Sequence, residues 1–365
     1  MITIPVPIPD RAYEVRIATF DDPGAMADLV VSGLGEVTGV AVLVDETVGQ
    51  RSPRVDPLVD ALAARLPNVR RHDLPGGEAC KSLREIERTT DWLAEQGFDR
   101  GAAVIGVGGG AAGDHAGFAA AIYLRGVRFA LCPTTLLAMV DASVGGKTAV
   151  DLAAGKNLVG AFHQPRVVVA ELGFLETLPV RERIAGLAEV VKAGLIADPV
   201  LFERLESQAD ALALGGITTG LADVIAAAVR VKAEVVTEDE RESGRRAILN
   251  FGHTVGHALE SASGYALLHG EAVALGMVAA LSLGVSLGVS TAGVRDRARA
   301  LLARLGLPTD VDHRLTTDVL SRIDVDKKRR AEAVTFVFVK SLGATQLLEV
   351  PLVELRRRLW SGNGV

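Results

Sequence analysis

An α/β domain of the nucleotide-binding type over residues 1–180, followed by an all-α domain over 181–365, is the architecture the sequence predicts. Three observations carry that expectation. At 365 residues the chain exceeds one typical core, so two domains are expected. The first half alternates short apolar, β-branched runs with helical stretches, the pattern of a doubly wound sheet. After about residue 180 the strand signals fade, and apolar residues recur every three or four positions. A cleft between two such domains is the expected place for a site.

Taken in order, residues 40–44 read as a strand ending at Asp45, and 55–66 as an amphipathic helix. A second strand over 69–74 stops at Pro75-Gly76-Gly77-Glu78, and a helix over 82–96 follows. Ser82 is placed to cap that helix, with Glu85 three residues on completing a capping box. Residues 102–107 are apolar throughout, as in a parallel strand covered on both faces. This run leads into Gly108-Gly109-Gly110 and a helix expected to begin near Asp114. Residues 129–132 form another strand, closed by Pro133-Thr134-Thr135. Helices are then expected over 181–195, 198–213, 217–240, 253–263, 269–289, 292–305 and 314–323, with polar caps at their starts. Residues 334–339 and 346–350 read as a late hairpin, and 360–365 as an irregular end.

Hydrophobic residues make up 49% of the chain and aromatic ones only 4%, so Ala, Val and Leu build the cores. The net charge of −6 comes from 39 basic and 45 acidic side chains mixed along the chain, which speaks against nucleic-acid and membrane-surface binding. Cys80 and Cys132 are too few for a disulfide framework and fit a reducing compartment. The first residues lack a basic segment ahead of an apolar run, and apolar stretches such as 272–290 are broken by Gly and Ser at helical spacing. The expectation is a cytoplasmic protein that acts on a small molecule.

The glycine run Gly108-Gly109-Gly110, with Gly113 and Asp114 close behind, follows a buried strand and opens a helix. Backbone N–H groups at such a turn bind phosphate, although a packing turn looks similar and the spacing departs from the usual dinucleotide pattern. Asp45, Glu78 and Lys81 lie at strand ends or loops on what should be the same carboxyl edge of the sheet. Together these residues suggest a dinucleotide with ribose hydroxyls to hold.

The stretch from Pro133 to Pro165 carries Asp141, Gly145-Gly146-Lys147-Thr148 and Gly155-Lys156-Asn157. Lysines beside glycines in irregular backbone are phosphate or carboxylate binders more readily than solvated surface. A Walker loop would need glycine at position 141, which is Asp, so that reading fails.

Three of the seven histidines fall between 253 and 269. His253 and His257 are one helical turn apart on one face, which suits a shared metal or one ligand beside one substrate contact. His253 and His269 sit beside glycines at expected helix starts. Glu189 and Lys192 share a face in Ala185–Gly194, which has no other charge, so the pair should face a buried site. Glu189, His253 and His269 would then give a two-His, one-carboxylate zinc with open positions. Lys232, Arg246 and the Lys327-Lys328 pair add cations for an anionic substrate.

Gly108-Gly109-Gly110 through Asp114, Tyr123-Leu124-Arg125, Pro133-Thr134-Thr135, Gly146-Lys147-Thr148, Gly155-Lys156-Asn157, Glu189 with Lys192, Asn250-Phe251-Gly252-His253 and His269-Gly270-Glu271 together resemble the 3-dehydroquinate synthases. These are the shikimate-pathway members of the sugar phosphate cyclases, and the likeness runs from about residue 40 to 340. The resemblance implies an enzyme dependent on NAD and on Zn²⁺ or Co²⁺. It would convert 3-deoxy-D-arabino-heptulosonate 7-phosphate to 3-dehydroquinate and phosphate by transient oxidation, phosphate elimination, reduction and intramolecular aldol closure. By resemblance, Glu189, His253 and His269 are the metal ligands. Lys147, Asn157, Asn250 and Lys327 are phosphate contacts, with Arg125 reaching in from a neighbouring subunit of a homodimer. Lys232 and Arg246 clamp the carboxylate, and Lys192 and His257 complete the substrate site. Asp45, Glu78, Lys81, Gly109, Gly110, Gly113, Asp114, Thr134, Thr135, Asp141, Lys147, Lys156 and Thr177 match NAD-side positions.

The chain departs from the pattern at Ala111-Ala112, His115, Thr47 and Asp151, none of which removes a ligand. A sister cyclase acting on sedoheptulose 7-phosphate would have no use for Lys232 and Arg246 as a carboxylate clamp. An amino-dehydroquinate synthase would keep every residue named, which leaves it open as a specialised relative. A glycerol dehydrogenase-type enzyme, with its uncharged substrate, would not need Lys147, Asn157, Lys192 and Lys327 together. A catalytically dead binding protein would not need the complete set.

Overall fold

A computed structural model describes residues 1–214, 220–327 and 333–360, apart from the side chains at 324–327 and 360. The expected irregular end therefore lies mostly outside the described residues, as do Lys328 and the Lys327 side chain. Two compact units emerge. The first holds Met1–Pro179 together with a later helix, and the second holds the other described residues from Val180 onward.

The first unit is built on strands β1 (Ile2–Val6), β2 (Tyr13–Ala18), β3 (Val40–Asp45), β4 (Val69–Leu74), β5 (Ala103–Gly108), β6 (Arg128–Pro133), β7 (Lys147–Leu152), β8 (Gly155–Phe162) and β9 (Val167–Glu171). Seven of them form one sheet in the order β1-β2-β9-β6-β5-β3-β4, parallel except for the β1–β2 pair. β3, β5 and β9 are buried at every position, the state their unbroken apolar runs demand. β7 and β8 pair separately as an antiparallel hairpin. Lys147 and Lys156 thus lie in regular strands, and the expectation of irregular backbone there is corrected.

Helices α1 (Pro23–Leu34), α2 (Glu46–Arg51), α3 (Val55–Ala63), α4 (Leu83–Glu95) and α5 (Gly110–Ile122) belong to this unit. Ser82 caps α4 as expected, its hydroxyl accepting from the Glu85 N–H. α5 begins at Gly110, four residues before the expected start, because it grows directly from the glycine turn. The strand order changes direction at β3 and β5, so the carboxyl ends of these two neighbours mark a topological switch point.

The second unit contains α6 (Val180–Ile196) and α7 (Pro199–Ala213), whereas α8 (Leu221–Glu238) joins the first unit, where it packs on β1. The sequence expectation had put this helix with the second domain, because periodicity marks which face is buried and not what covers it. The second unit continues with α9 (His253–Ala262), α10 (His269–Ser286), α11 (Ala292–Arg304), α12 (Thr317–Lys327), strands β10 (Ala333–Ser341) and β11 (Ala344–Pro351), and α13 (Leu352–Trp360). α10 is long and apolar enough to cross a membrane, yet 72% of it is buried among α6, α9 and α11, so it is a core helix.

Candidate active site

In the second unit, α6 supplies Glu189 and Lys192, both 3% exposed, and their charges meet in a buried ion pair. α9 and α10 supply His253 and His269 as their first residues. Two glycines make this convergence possible. Gly252 caps α9 with φ +79°, a left-handed conformation that suits glycine. A Cβ at Gly270 would fall 1.8 Å from the Ala185 carbonyl oxygen, so only glycine lets α10 approach α6 this closely. Ala185 is one turn before Glu189, and this contact delivers His269 to that carboxylate.

His253 Nε2 lies 3.7 Å and His269 Nε2 3.4 Å from the same Glu189 Oε1 atom. His253 Nδ1 is 3.2 Å from the Phe251 carbonyl oxygen, which only accepts, so Nδ1 carries the proton and Nε2 keeps its lone pair. His269 Nδ1 is 3.5 Å from Glu260 Oε2, which orients that ring in the same sense. The ligand atoms of Glu189, His253 and His269 all lie within 4.8 Å of one another. Beyond the Lys192 ion pair, neither Glu189 oxygen has a hydrogen-bond partner, although both are buried. Two imidazole nitrogens and one carboxylate oxygen converging on one point are a donor set that fits Zn²⁺ or Co²⁺ and leaves coordination positions open.

The protonation states follow from the same contacts. Burial works against ionisation of Glu189, but the Lys192 cation and the two histidines outweigh it and hold the carboxyl well below its usual range. Burial and Lys192 press His253 down to about 3, so it stays a neutral ligand. Burial also opposes charge on His269, yet the neighbouring carboxylates of Glu189 and Glu260 lift it to about 9 in the metal-free protein. His257, one turn along α9, sits 5.2 Å from the His253 ring and 6.1 Å from that of His269, and stands outside the three-ligand group. Arg246 is 2% exposed, and Asn250 donates to Glu242 Oε1 at 2.6 Å.

In the first unit, the glycine turn lies at the β3/β5 switch point. A Cβ on Gly108 would come within 2.6 Å of Ala112 Cβ and 3.0 Å of Asp45 Cβ. Gly109 caps α5 without a side chain, so the helix's N-terminal amides are available to an anion. A small cavity here is lined by Gly108, Gly109, Gly110, Pro133, Ala142 and Ser143. The hydroxyls of Ser143 and Thr134 are buried without a hydrogen-bond partner, so the turn has polar atoms to offer a ligand. A Cβ on Gly113 would lie 3.7 Å from Leu131 Cδ2, and Thr135 Oγ1 accepts from Ala138 N.

Lys81 Nζ is 2.6 Å from both Asp114 Oδ2 and Asn157 Oδ1, and Lys156 Nζ is 3.9 Å from Glu78 Oε1. Burial lifts Asp114 to about 6 even with Lys81 beside it. Asp45 directs its oxygens to the backbone N–H groups of Thr47, Val48 and Gly77. Lys232, on α8, is ion-paired to Asp141 Oδ1 at 2.7 Å and donates to the Asp141 carbonyl at 2.6 Å. Thr177 donates to the Phe174 carbonyl at 3.3 Å. Lys147 is exposed on β7, and Arg125 is exposed in a turn where it and Leu124 both have positive φ, +69° and +49°.

Sequence reasoning passed over Glu260 and Glu242, and gave Ser143 no role. Glu260 stands seven residues after His253, the spacing that returns to the same helix face, and that periodicity was the available signal.

Residues 71–185 match the family described as 3-dehydroquinate synthase N-terminal, and residues 186–329 the one described as 3-dehydroquinate synthase C-terminal. The chain is 46% identical over 353 residues to the 3-dehydroquinate synthase of Rhodospirillum rubrum, covering 94% of this chain and 90% of that protein. It is 44% identical over 345 residues to that of a Synechococcus species, with 94% and 93% covered. Among solved structures, 2-epi-5-epi-valiolone synthase from Streptomyces hygroscopicus, with NAD⁺ and Zn²⁺ bound, superimposes with a TM-score of 0.85 at 28% identity over 96% of each chain. Glycerol dehydrogenase from Schizosaccharomyces pombe, at TM-score 0.65 and 17% identity over 96% of this chain and 88% of that one, shares the fold alone.

Proposed function

The chain belongs to the 3-dehydroquinate synthase family, and from that premise we propose that it converts 3-deoxy-D-arabino-heptulosonate 7-phosphate to 3-dehydroquinate and phosphate, as a carbon–oxygen lyase dependent on NAD and on Zn²⁺ or Co²⁺. The observation that carries the cofactor reading is the convergence of His253 and His269 Nε2 on Glu189 Oε1, in a chain similar to a cyclase solved with NAD⁺ and Zn²⁺.

When bound, NAD would take up and return a hydride, and the metal would polarise substrate oxygens as a Lewis acid. The protein's own groups hold the reactants. Glu189, His253 and His269 hold the metal, with Glu260 orienting His269. Asp45, Glu78, Lys81, Asp114, Thr134, Thr135, Asp141, Lys156 and Thr177 serve NAD, together with the amides of Gly109, Gly110 and Gly113. Asp45 acts through the backbone, because its oxygens already fix the amides of Thr47 and Gly77. Lys147, Asn157, Asn250, Lys327 and Arg125 receive phosphate, with Arg125 contributed by the neighbouring subunit of a homodimer. Lys232 and Arg246 hold the substrate carboxylate, and Lys192 and His257 hold its hydroxyls. On this reading Met1–Pro179 together with α8, which carries Lys232, serve as the NAD-binding domain, and the other described residues from Val180 onward as the metal- and substrate-binding domain. Two buried free cysteines suit the cytoplasm.

Redox neutrality gives the test. Phosphate release from the heptulosonate phosphate should require both NAD and zinc, with no accumulation of free NADH. Stoichiometric NADH would instead favour a polyol dehydrogenase. The amino-dehydroquinate synthase reading survives on the same residues, and turnover of the nitrogen-bearing substrate in preference would select it.

A further inference from the structure

His115 is completely buried on α5, where a side chain that lines a sheet-facing helix is ordinarily apolar. Its two ring nitrogens are both engaged. Nδ1 lies 2.8 Å from the Cys80 carbonyl oxygen, and Nε2 lies 2.8 Å from Thr89 Oγ1 on α4. A carbonyl oxygen can only accept, so the proton is on Nδ1, and Nε2 accepts the Thr89 hydroxyl proton. The tautomer is fixed from both sides. Burial reinforces this by holding the imidazole neutral, its pKa lowered to about 4.

Cys80 ends the short turn Gly77–Cys80, which carries Glu78 and leads directly to Lys81. Asp114, the residue before His115, holds the Lys81 ammonium at 2.6 Å. Consecutive residues of α5 therefore grip consecutive residues of one loop, Asp114 by the Lys81 side chain and His115 by the Cys80 main chain. The rest of the loop is tied by Asp45 to Gly77 N at 3.0 Å, by Glu46 to Gly76 N at 3.1 Å, and by the Lys81 carbonyl to Asp151 N at 3.0 Å. The Cys80 carbonyl also accepts from Ser82 N, and His115 satisfies its second lone pair. A loop pinned at Gly76, Gly77, Cys80 and Lys81 presents Glu78 and Lys81 in one arrangement, which lowers the ordering cost of binding a ligand.

We propose that His115 is a positioning residue for the cofactor loop, acting through the Cys80 carbonyl to set Glu78 and Lys81 for NAD. This rests on the reading of Glu78 and Lys81 as NAD contacts. Thr89 acts one step further out, by holding the ring in the tautomer that donates to Cys80.

The test is the dissociation constant for NAD, measured by calorimetry on zinc-loaded full-length protein, beside zinc stoichiometry and thermal midpoint. His115→Leu removes the donor and should weaken NAD about three- to tenfold while zinc content stays at the wild-type value. His115→Asn, whose Nδ2 can donate from near the Nδ1 position, should recover most of the affinity. Thr89→Val removes the group that fixes the tautomer and should weaken NAD in the same direction, and it decides the matter if His115→Leu does not fold. Lys81→Met serves as the control. If it weakens NAD while His115→Leu and Thr89→Val lower only the thermal midpoint, His115 is a core residue and the inference is overturned. If Lys81→Met leaves NAD binding unchanged as well, the assignment of the loop to NAD falls with it.

Discussion

Gly270→Ala probes how the metal ligands are brought together. A Cβ at Gly270 would stand 1.8 Å from the Ala185 carbonyl oxygen, whereas ordinary contact begins at 3.4 Å. The obstacle is backbone and cannot rotate away, so the start of α10 must recede from α6 by roughly 1.5 Å. Metal–ligand distances tolerate only about 0.2 Å. His269 precedes Gly270, and Glu189 is one turn beyond Ala185, so the displacement falls on the 3.4 Å His269–Glu189 approach itself. Zinc affinity, measured by competition with a chromophoric chelator, should drop at least tenfold to a hundredfold, the range for disturbed ligand orientation. Urea unfolding of the metal-free protein should show a loss of about 1–3 kcal/mol from overpacking. Gly293→Ala, in α11 with nothing within 4 Å of the added carbon, is the matched control and should be neutral or stabilising by up to about 1 kcal/mol. A Gly270→Ala protein with wild-type zinc affinity and an unchanged unfolding midpoint would refute the argument that close helix approach assembles the site.

Burial pushes the Cys80 and Cys132 thiols up to about 12, so native protein at about pH 8 should resist iodoacetamide and take up two equivalents only after unfolding; free-thiol labelling rates in the native state would contradict this. Because these folded values lie above the unfolded value of about 8.5, the stability they contribute is complete below about pH 8.5 and lost as pH climbs towards 12. Lys192→Met leaves Glu189 buried beside fewer cations, and in metal-free protein it should cost on the order of 3–5 kcal/mol, with much of that restored by zinc; an equal loss with and without zinc would count against the metal site. Arg246→Ala should raise the Michaelis constant for the carboxylate-bearing substrate by at least about tenfold while zinc and NAD remain bound, and a kinetically silent variant would remove Arg246 from the carboxylate clamp.

Most of the fold was legible because buried parallel strands leave unbroken apolar runs, as residues 102–107 do for β5. The start of α5 was misplaced because Gly110 and Gly113 read as a turn, whereas tertiary packing keeps glycines helical there, as at Gly117, whose Cβ would meet Thr148 Cγ2 at 2.4 Å. The β7–β8 hairpin was hidden by Gly155, Asn157 and Gly160, residues with poor strand propensity; a Cβ on Gly160 would lie 2.0 Å from the Thr148 carbonyl oxygen, so the pairing itself selects glycine. β9 carried a readable signal in Val167-Val168-Val169, overshadowed by the polar residues before it. At the candidate site, the isolation of Glu189 and Lys192 within an uncharged segment foretold their burial. The Asp45 interactions were not legible, since nothing local indicates that its carboxylate accepts from Gly77, thirty-two residues away.

The most direct measurement is phosphate release from two heptulose phosphates by the zinc-loaded protein with NAD. The account predicts turnover of 3-deoxy-D-arabino-heptulosonate 7-phosphate, whose carboxylate Lys232 and Arg246 would hold, and negligible turnover of sedoheptulose 7-phosphate, which has none. Cyclisation of sedoheptulose 7-phosphate at comparable efficiency would contradict it.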